Sequence, residues 1–132
     1  MKLDFSKDIS YNGDMMDKRR APRYASLAQA RIEGISAGEA LLRDLSVIGC
    51  RLEFSSAVAF EPGQVVRVLV VPEASATIEP FELEAESRWS RADYDAFEVG
   101  FSIRSSPKGK AFQRYVDYLA WRHAGNSAPA QA

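Results

Sequence analysis

Phe81-Glu82-Leu83-Glu84-Ala85-Glu86-Ser87-Arg88-Trp89-Ser90 alternates between two kinds of side chain. Phe81, Leu83, Ala85, Ser87 and Trp89 have one parity, and Glu82, Glu84, Glu86, Arg88 and Ser90 the other. Successive side chains of a β-strand point to opposite faces, so this stretch reads as a strand with one buried face. The pattern assigns Trp89 to the core and the three glutamates to water. Before it, Val65-Val66-Arg67-Val68-Leu69-Val70-Val71 is β-branched almost throughout and reads as a central strand, with Pro72 to Pro80 as the connecting loop. After it, Asp93-Tyr94-Asp95 turns the chain. Phe97, Val99, Phe101 and Ile103 then alternate with Glu98, Gly100 and Ser102 in a last strand.

Further towards the N-terminus, Glu61-Pro62-Gly63-Gln64 is a turn signal. Cys50, Leu52 and Phe54 alternate with Arg51 and Glu53 in another strand. A strand over Glu39–Leu45 reverses into it at Ser46–Gly49, and Ala28, Ala30 and Ile32 alternate within Leu27–Glu33, ahead of a turn over Gly34–Gly38. About six short strands with no helix between them indicate an antiparallel barrel or sandwich. Ser106 and Pro107 then precede Lys108–His123, where Phe112, Tyr115, Val116 and Leu119 fall at helical spacing. The expected fold is all-β with one C-terminal helix packed on it. Residues 1–17 read as a flexible arm and residues 124–132 as a flexible tail, flanking one domain over 18–123.

The bulk numbers narrow the function. A chain of 132 residues, 46% hydrophobic and 27% charged, is long enough for one domain with a real core. A net charge of −1 argues against a general binder of nucleic acid or anionic membrane. The charge is unevenly spread: residues 17–31 hold five cations and one anion, whereas residues 73–98 hold eight carboxylates and two arginines. A small basic concentration suits a small anion better than a polymer. The one cysteine, Cys50, excludes an internal disulfide, and no stretch approaches the length of a membrane span. No apolar run of signal-peptide length follows Met1, so the expected compartment is the cytoplasm.

The basic concentration contains Lys18-Arg19-Arg20-Ala21-Pro22-Arg23, in which Arg19 and Arg23 form R-x-x-x-R. Pro22 pushes Ala21 towards extended geometry, which favours a segment able to wrap a ligand over a continuous helix. After 20 residues (24 to 43) come Asp44, Ser46 and Gly49, spaced D-x-S-x-x-G. Guanidinium is planar and permanently charged, and matches both phosphate oxygens and the O6/N7 edge of guanine. The Asp44 carboxylate accepts from donors on the opposite guanine edge, and Ser46 donates to phosphate or accepts from an amine. Gly49 permits φ above zero and lets a ligand approach the backbone.

In their order and interval these motifs resemble the PilZ domain, the bacterial receptor for cyclic di-GMP, from Lys18 to the C-terminal helix. Trp89 followed by Gly100-Phe101 is similar to the family as well. The resemblance implies a six-stranded antiparallel β-barrel with the arginines just before the first strand. It implies cyclic di-GMP as ligand, bound by Arg19, Arg23, Asp44, Ser46 and Gly49. By their position beside the motifs Arg20, Lys18 and Arg51 are secondary candidates for the same ligand, and no cofactor or metal is expected. The family's residue before R-x-x-x-R influences whether one nucleotide or an intercalated pair is bound, and Lys18 leans towards the pair, whose phosphates bring more charge. A downstream protein partner in motility, biofilm or exopolysaccharide control is the implied output.

Taken singly, these residues have plainer readings. Basic clusters in tails are usually solvated, and Asp44 and Ser46 suit a turn bonded to its own backbone. Cys50 reads as a buried apolar residue, and His123 as a complement to the helix C-terminus, so enzymatic activity is not expected. Trp121 lies off the apolar stripe of the helix, which makes it a candidate contact for a partner. Two further readings are a PilZ-like interaction module that works through the glutamate face or the helix without nucleotide, and a barrel binding single-stranded nucleic acid. The exposed glutamates oppose the latter.

Overall fold

The computed structural model describes residues 21–34, 39–92, 96–107 and 109–126 of the chain. Its strands are β1 (Tyr24–Ala25), β2 (Gln29–Ile32), β3 (Glu39–Leu45), β4 (Gly49–Phe54), β5 (Val65–Val71), β6 (Phe81–Ala92) and β7 (Phe97–Ser105), followed by helix α1 (Lys110–His123). Ala74–Ala76 forms a single 3-10 turn between β5 and β6. Pairing runs β3–β2–β5–β6–β7–β4 and returns from β4 to β3, every pair antiparallel, so six strands close into a barrel. Closure leaves no unpaired strand edge within the ring. β1 lies outside the ring and adds two residues to β3, pairing Tyr24 with Leu45 and Ala25 with Asp44.

The alternating apolar positions fill the barrel. Leu42, Leu52, Val68, Val70, Leu83, Ala85 and Val99 are fully buried, and burying a side chain of leucine or valine size contributes about 1.5–3 kcal/mol. Helix α1 adds Ala111, Tyr115, Val116 and Leu119, with Phe112 and Tyr115 against the Phe81 ring. A buried hydroxyl needs partners, and that of Tyr115 donates to Glu73 Oε1 at 2.6 Å and accepts from Ser26 Oγ at 2.9 Å. Arg122 completes the group by donating to Glu73 Oε2 at 2.8 Å. Burial, reinforced by Glu73, holds the Tyr115 hydroxyl well above its ordinary pKa. The helix is thereby tied to the segment that follows β1.

β3 and β5 have their expected bounds, β2 begins at Gln29 instead of Leu27, and α1 begins at Lys110 instead of Lys108. The 1–17 arm, the Asp93-Tyr94-Asp95 turn and the tail beyond residue 126 lie outside the described residues.

The ladder register slips at three places among the described residues: once near the end of β7, where Arg104 is extra opposite Glu84 and Ala85, and at two bulges that shape the outer wall. In β3 the register passes from Leu42↔Leu52 to Asp44↔Arg51, leaving Arg43 as an extra residue. In β6 it passes from Ser87↔Phe101 to Trp89↔Gly100, leaving Arg88 extra. A bulge inverts the parity beyond it. Asp44 and Trp89, which would otherwise share the inward parity of Leu42 and Ser87, therefore belong to the outer wall. This corrects the expectation that Trp89 is core: it is 45% exposed.

Candidate functional site

The two bulges and the pairing registers assemble one row across four strands. Asp44 on β3 faces Arg51 on β4, Arg51 faces Gly100 on β7, and Gly100 faces Trp89 on β6. Each carboxylate oxygen of Asp44 accepts one arginine: Oδ1 from Arg23 Nη1 and Oδ2 from Arg51 Nε, both at 2.9 Å. Arg23 reaches Asp44 because β1 pairs with the end of β3. Partial burial works against the charge of Arg51, but the Asp44 and Glu98 carboxylates outweigh it and raise its pKa above the ordinary value.

Below this row lies a second. Glu53 on β4 faces Glu98 on β7, and Glu98 faces Arg91 on β6. Like charges directly across a ladder repel. Here arginines offset them: Arg43 pairs with Glu53 at 3.2 Å, while Arg51 Nη1 donates to Glu98 Oε2 at 3.1 Å and Arg91 donates to Glu98 Oε1. Glu98 is buried, although its parity in β7 is the polar one. The arginines that cover it come from β4 and β6, so its own strand gave no sign of this.

The turn between β3 and β4 is built by Ser46. Its buried hydroxyl accepts from the N–H groups of Ile48 and Gly49, each at 3.1 Å, and its own N–H donates to the Gly49 carbonyl at 2.8 Å. The hydroxyl thus shapes the loop. Gly49 does not use the left-handed backbone that glycine permits. It is needed for space: a Cβ there would lie 3.0 Å from the Phe101 carbonyl oxygen and 3.2 Å from Arg23 Nη2. Val47 and Ile48 at the tip are exposed.

At the far end of the row, the Trp89 ring rests on Gly100, and the Arg91 guanidinium lies 5.7 Å from the ring centroid. Lys18, Arg19 and Arg20 lie outside the described residues. The structure therefore brings together Arg23, Asp44 and Arg51 around the loop of Ser46 and Gly49, and adds Trp89, Arg91 and Glu98. Strand parity concealed the exposure of Trp89, and the missing side chain of Gly100 is what makes room for its ring.

Other chemistry-bearing groups stand apart. Cys50 is fully buried and desolvation pushes its thiol up to about 12. The His123 ring lies 5.3 Å from that of Tyr24. Among the described residues no cluster of His, Cys, Asp and Glu could hold a metal ion, and no helix is long and apolar enough to cross a membrane.

The family model of the PilZ domain matches residues 17–121. The chain belongs to the PilZ domain family. Among solved structures, this PilZ domain is similar to the inhibitor of motility MotI/DgrA of Bacillus subtilis, with a TM-score of 0.67 and 18% identity over 85% of this chain. The match spans 54% of that protein's length. It is also similar to the PilZ domain of YcgR from Escherichia coli, determined with c-di-GMP, with a TM-score of 0.64 and 15% identity over 81% of this chain and 95% of that one. At these identities the likeness concerns the fold. A search of curated proteins gave no match.

Proposed function

We propose that this PilZ domain is a receptor for cyclic di-GMP that acts on a protein partner and catalyses no reaction. The observation that carries the reading is the seat of Arg23 on Asp44, beside Arg51, over the loop that Ser46 and Gly49 build. A guanidinium there offers forked donors to a phosphodiester or to the O6/N7 edge of guanine, and Asp44 is an acceptor for the donors of the other edge. Trp89 offers a flat exposed ring in the same row, suited to a purine face. Lys18, Arg19 and Arg20, separated from Arg23 by Ala21 and Pro22, would add charge for the phosphates of one nucleotide or an intercalated pair. The cytoplasm, where such a nucleotide signal would act, is the proposed compartment. The structure of the YcgR PilZ domain with c-di-GMP supports the receptor reading by analogy of fold.

The reading without nucleotide is weakened by the state of the glutamate face. Glu86 is paired with Arg88 at 3.2 Å and with Arg104 at 3.3 Å, and Glu82 approaches Arg67 at 4.0 Å. A face neutralised this way offers a basic partner little.

Calorimetric titration of cyclic di-GMP, with GTP as control, tests the proposal. Wild type is expected to bind with a Kd of roughly micromolar or below, about −8 kcal/mol, and Arg23→Ala to lose most of that affinity. Silence of the wild type would overturn the receptor reading. A ratio of one nucleotide per protein would overturn the pair.

A further inference from the structure

Glu98 is buried against the outer wall with each carboxylate oxygen given to a different arginine, Arg51 on β4 and Arg91 on β6. Arg51 is in turn bonded to Asp44, which holds Arg23. Guanidinium and carboxylate therefore alternate along one continuous chain: Arg23, Asp44, Arg51, Glu98, Arg91. It crosses from the segment before β1 to β6, and both ends lie beside the residues assigned to the ligand: the turn of Ser46 and Gly49 at one, the Trp89 ring at the other. Long arginine side chains lose considerable rotamer freedom when they are fixed, and a carboxylate shared by two of them fixes both before a ligand arrives.

We infer that Glu98 is a positioning residue for nucleotide binding, holding Arg51 and Arg91 in place along the ligand face without touching the ligand itself. The inference rests on the receptor reading. It extends the site past the two sequence motifs onto β6 and β7 and gives Arg91 a part in recognising the phosphates.

The sign of one substitution separates positioning from bulk charge. Glu98→Gln keeps the size of the side chain and removes one negative charge from beside a ligand carrying two phosphates. By Coulomb's law alone that change tightens binding. Loss of positioning weakens it, and the expected result is a 5- to 20-fold increase in Kd with a flatter dependence on salt, since loosely held cations contribute less of the screened attraction. In an Arg51→Gln/Arg91→Gln background, Glu98→Gln is expected to change affinity less than twofold. Should Glu98→Gln not fold, as judged by circular dichroism, Arg91→Gln removes the more exposed partner alone and is expected to raise Kd at least threefold.

Wild-type binding together with Glu98→Gln affinity equal to or tighter than wild type overturns the positioning role and leaves the receptor reading standing. An undiminished effect of Glu98→Gln in the doubly substituted background also overturns it. No binding by the wild type overturns both.

Discussion

Trp89 lies so close against Gly100 that a Cβ on the glycine would come within 2.2 Å of the ring. The ring is therefore seated by an absence, and Gly100→Ala has to unseat it. The expected cost is about 1–3 kcal/mol, the usual range for overpacking. In a Trp121→Phe background, where Trp89 is the one tryptophan, its selectively excited fluorescence should shift to longer wavelength. Unchanged emission and stability would contradict the stacked arrangement.

Ser46→Ala removes the acceptor of two backbone N–H groups in the β3–β4 turn. Leaving the buried Gly49 N–H unpaired costs about 1–3 kcal/mol. Urea unfolding should show that loss in midpoint with little change in slope, and nucleotide affinity should fall because the loop under Arg23 loosens.

Tyr115→Phe deletes the hydroxyl that joins Ser26 to Glu73. A loss of about 1–3 kcal/mol is expected from the partners left behind. Combined with Ser26→Ala, the two changes should be markedly less than additive, because they cut the same connection. Additive losses in a double-mutant cycle would show the two ends to be independent.

Alkaline pH should destabilise the fold. Cys50 and Tyr115 are both held above their unfolded values of 9.0 and 10.0, first by burial. The folded state therefore keeps protons that the unfolded chain gives up. The stability these groups contribute is complete below about pH 9 and declines as pH rises towards the folded values, by up to about 1.4 kcal/mol per pH unit for each group. Denaturation midpoints at neutral pH and near pH 10 measure the decline, and Cys50→Ala should remove the part that begins at lower pH. The thiol should also resist modification by aromatic disulfide reagents until the protein unfolds.

Much of the barrel could be read from the chain because alternation is a local signal. The apolar set of β4 (Cys50, Leu52 and Phe54) and the inner set of β6 up to Ser87 lie where their parity puts them. What alternation cannot reveal is its own interruption. Arg43 and Arg88 are ordinary polar residues in sequence, yet each is the extra residue of a bulge, and the reversals they cause bring Asp44 and Trp89 outward. The three-residue interval from Leu42 to Leu45, both fully buried, was the one trace of the first reversal. Glu98 was hidden for a different reason: its burial is supplied by Arg51 and Arg91, which are distant in sequence. β1 was missed because two residues display no period at all.

That two-residue strand has a mechanical consequence. Only Tyr24 and Ala25 separate Arg23, fixed to the barrel wall by Asp44, from Ser26, fixed to the helix by Tyr115. Three residue steps of extended chain span at most roughly 10–11 Å. Tyr24 and Ala25 are already extended against β3, so this tether has almost no slack. A pull on Arg23 cannot be absorbed by uncoiling and must either peel β1 from β3 or draw on the tie beneath the helix. The shortest of the described strands is a strain gauge.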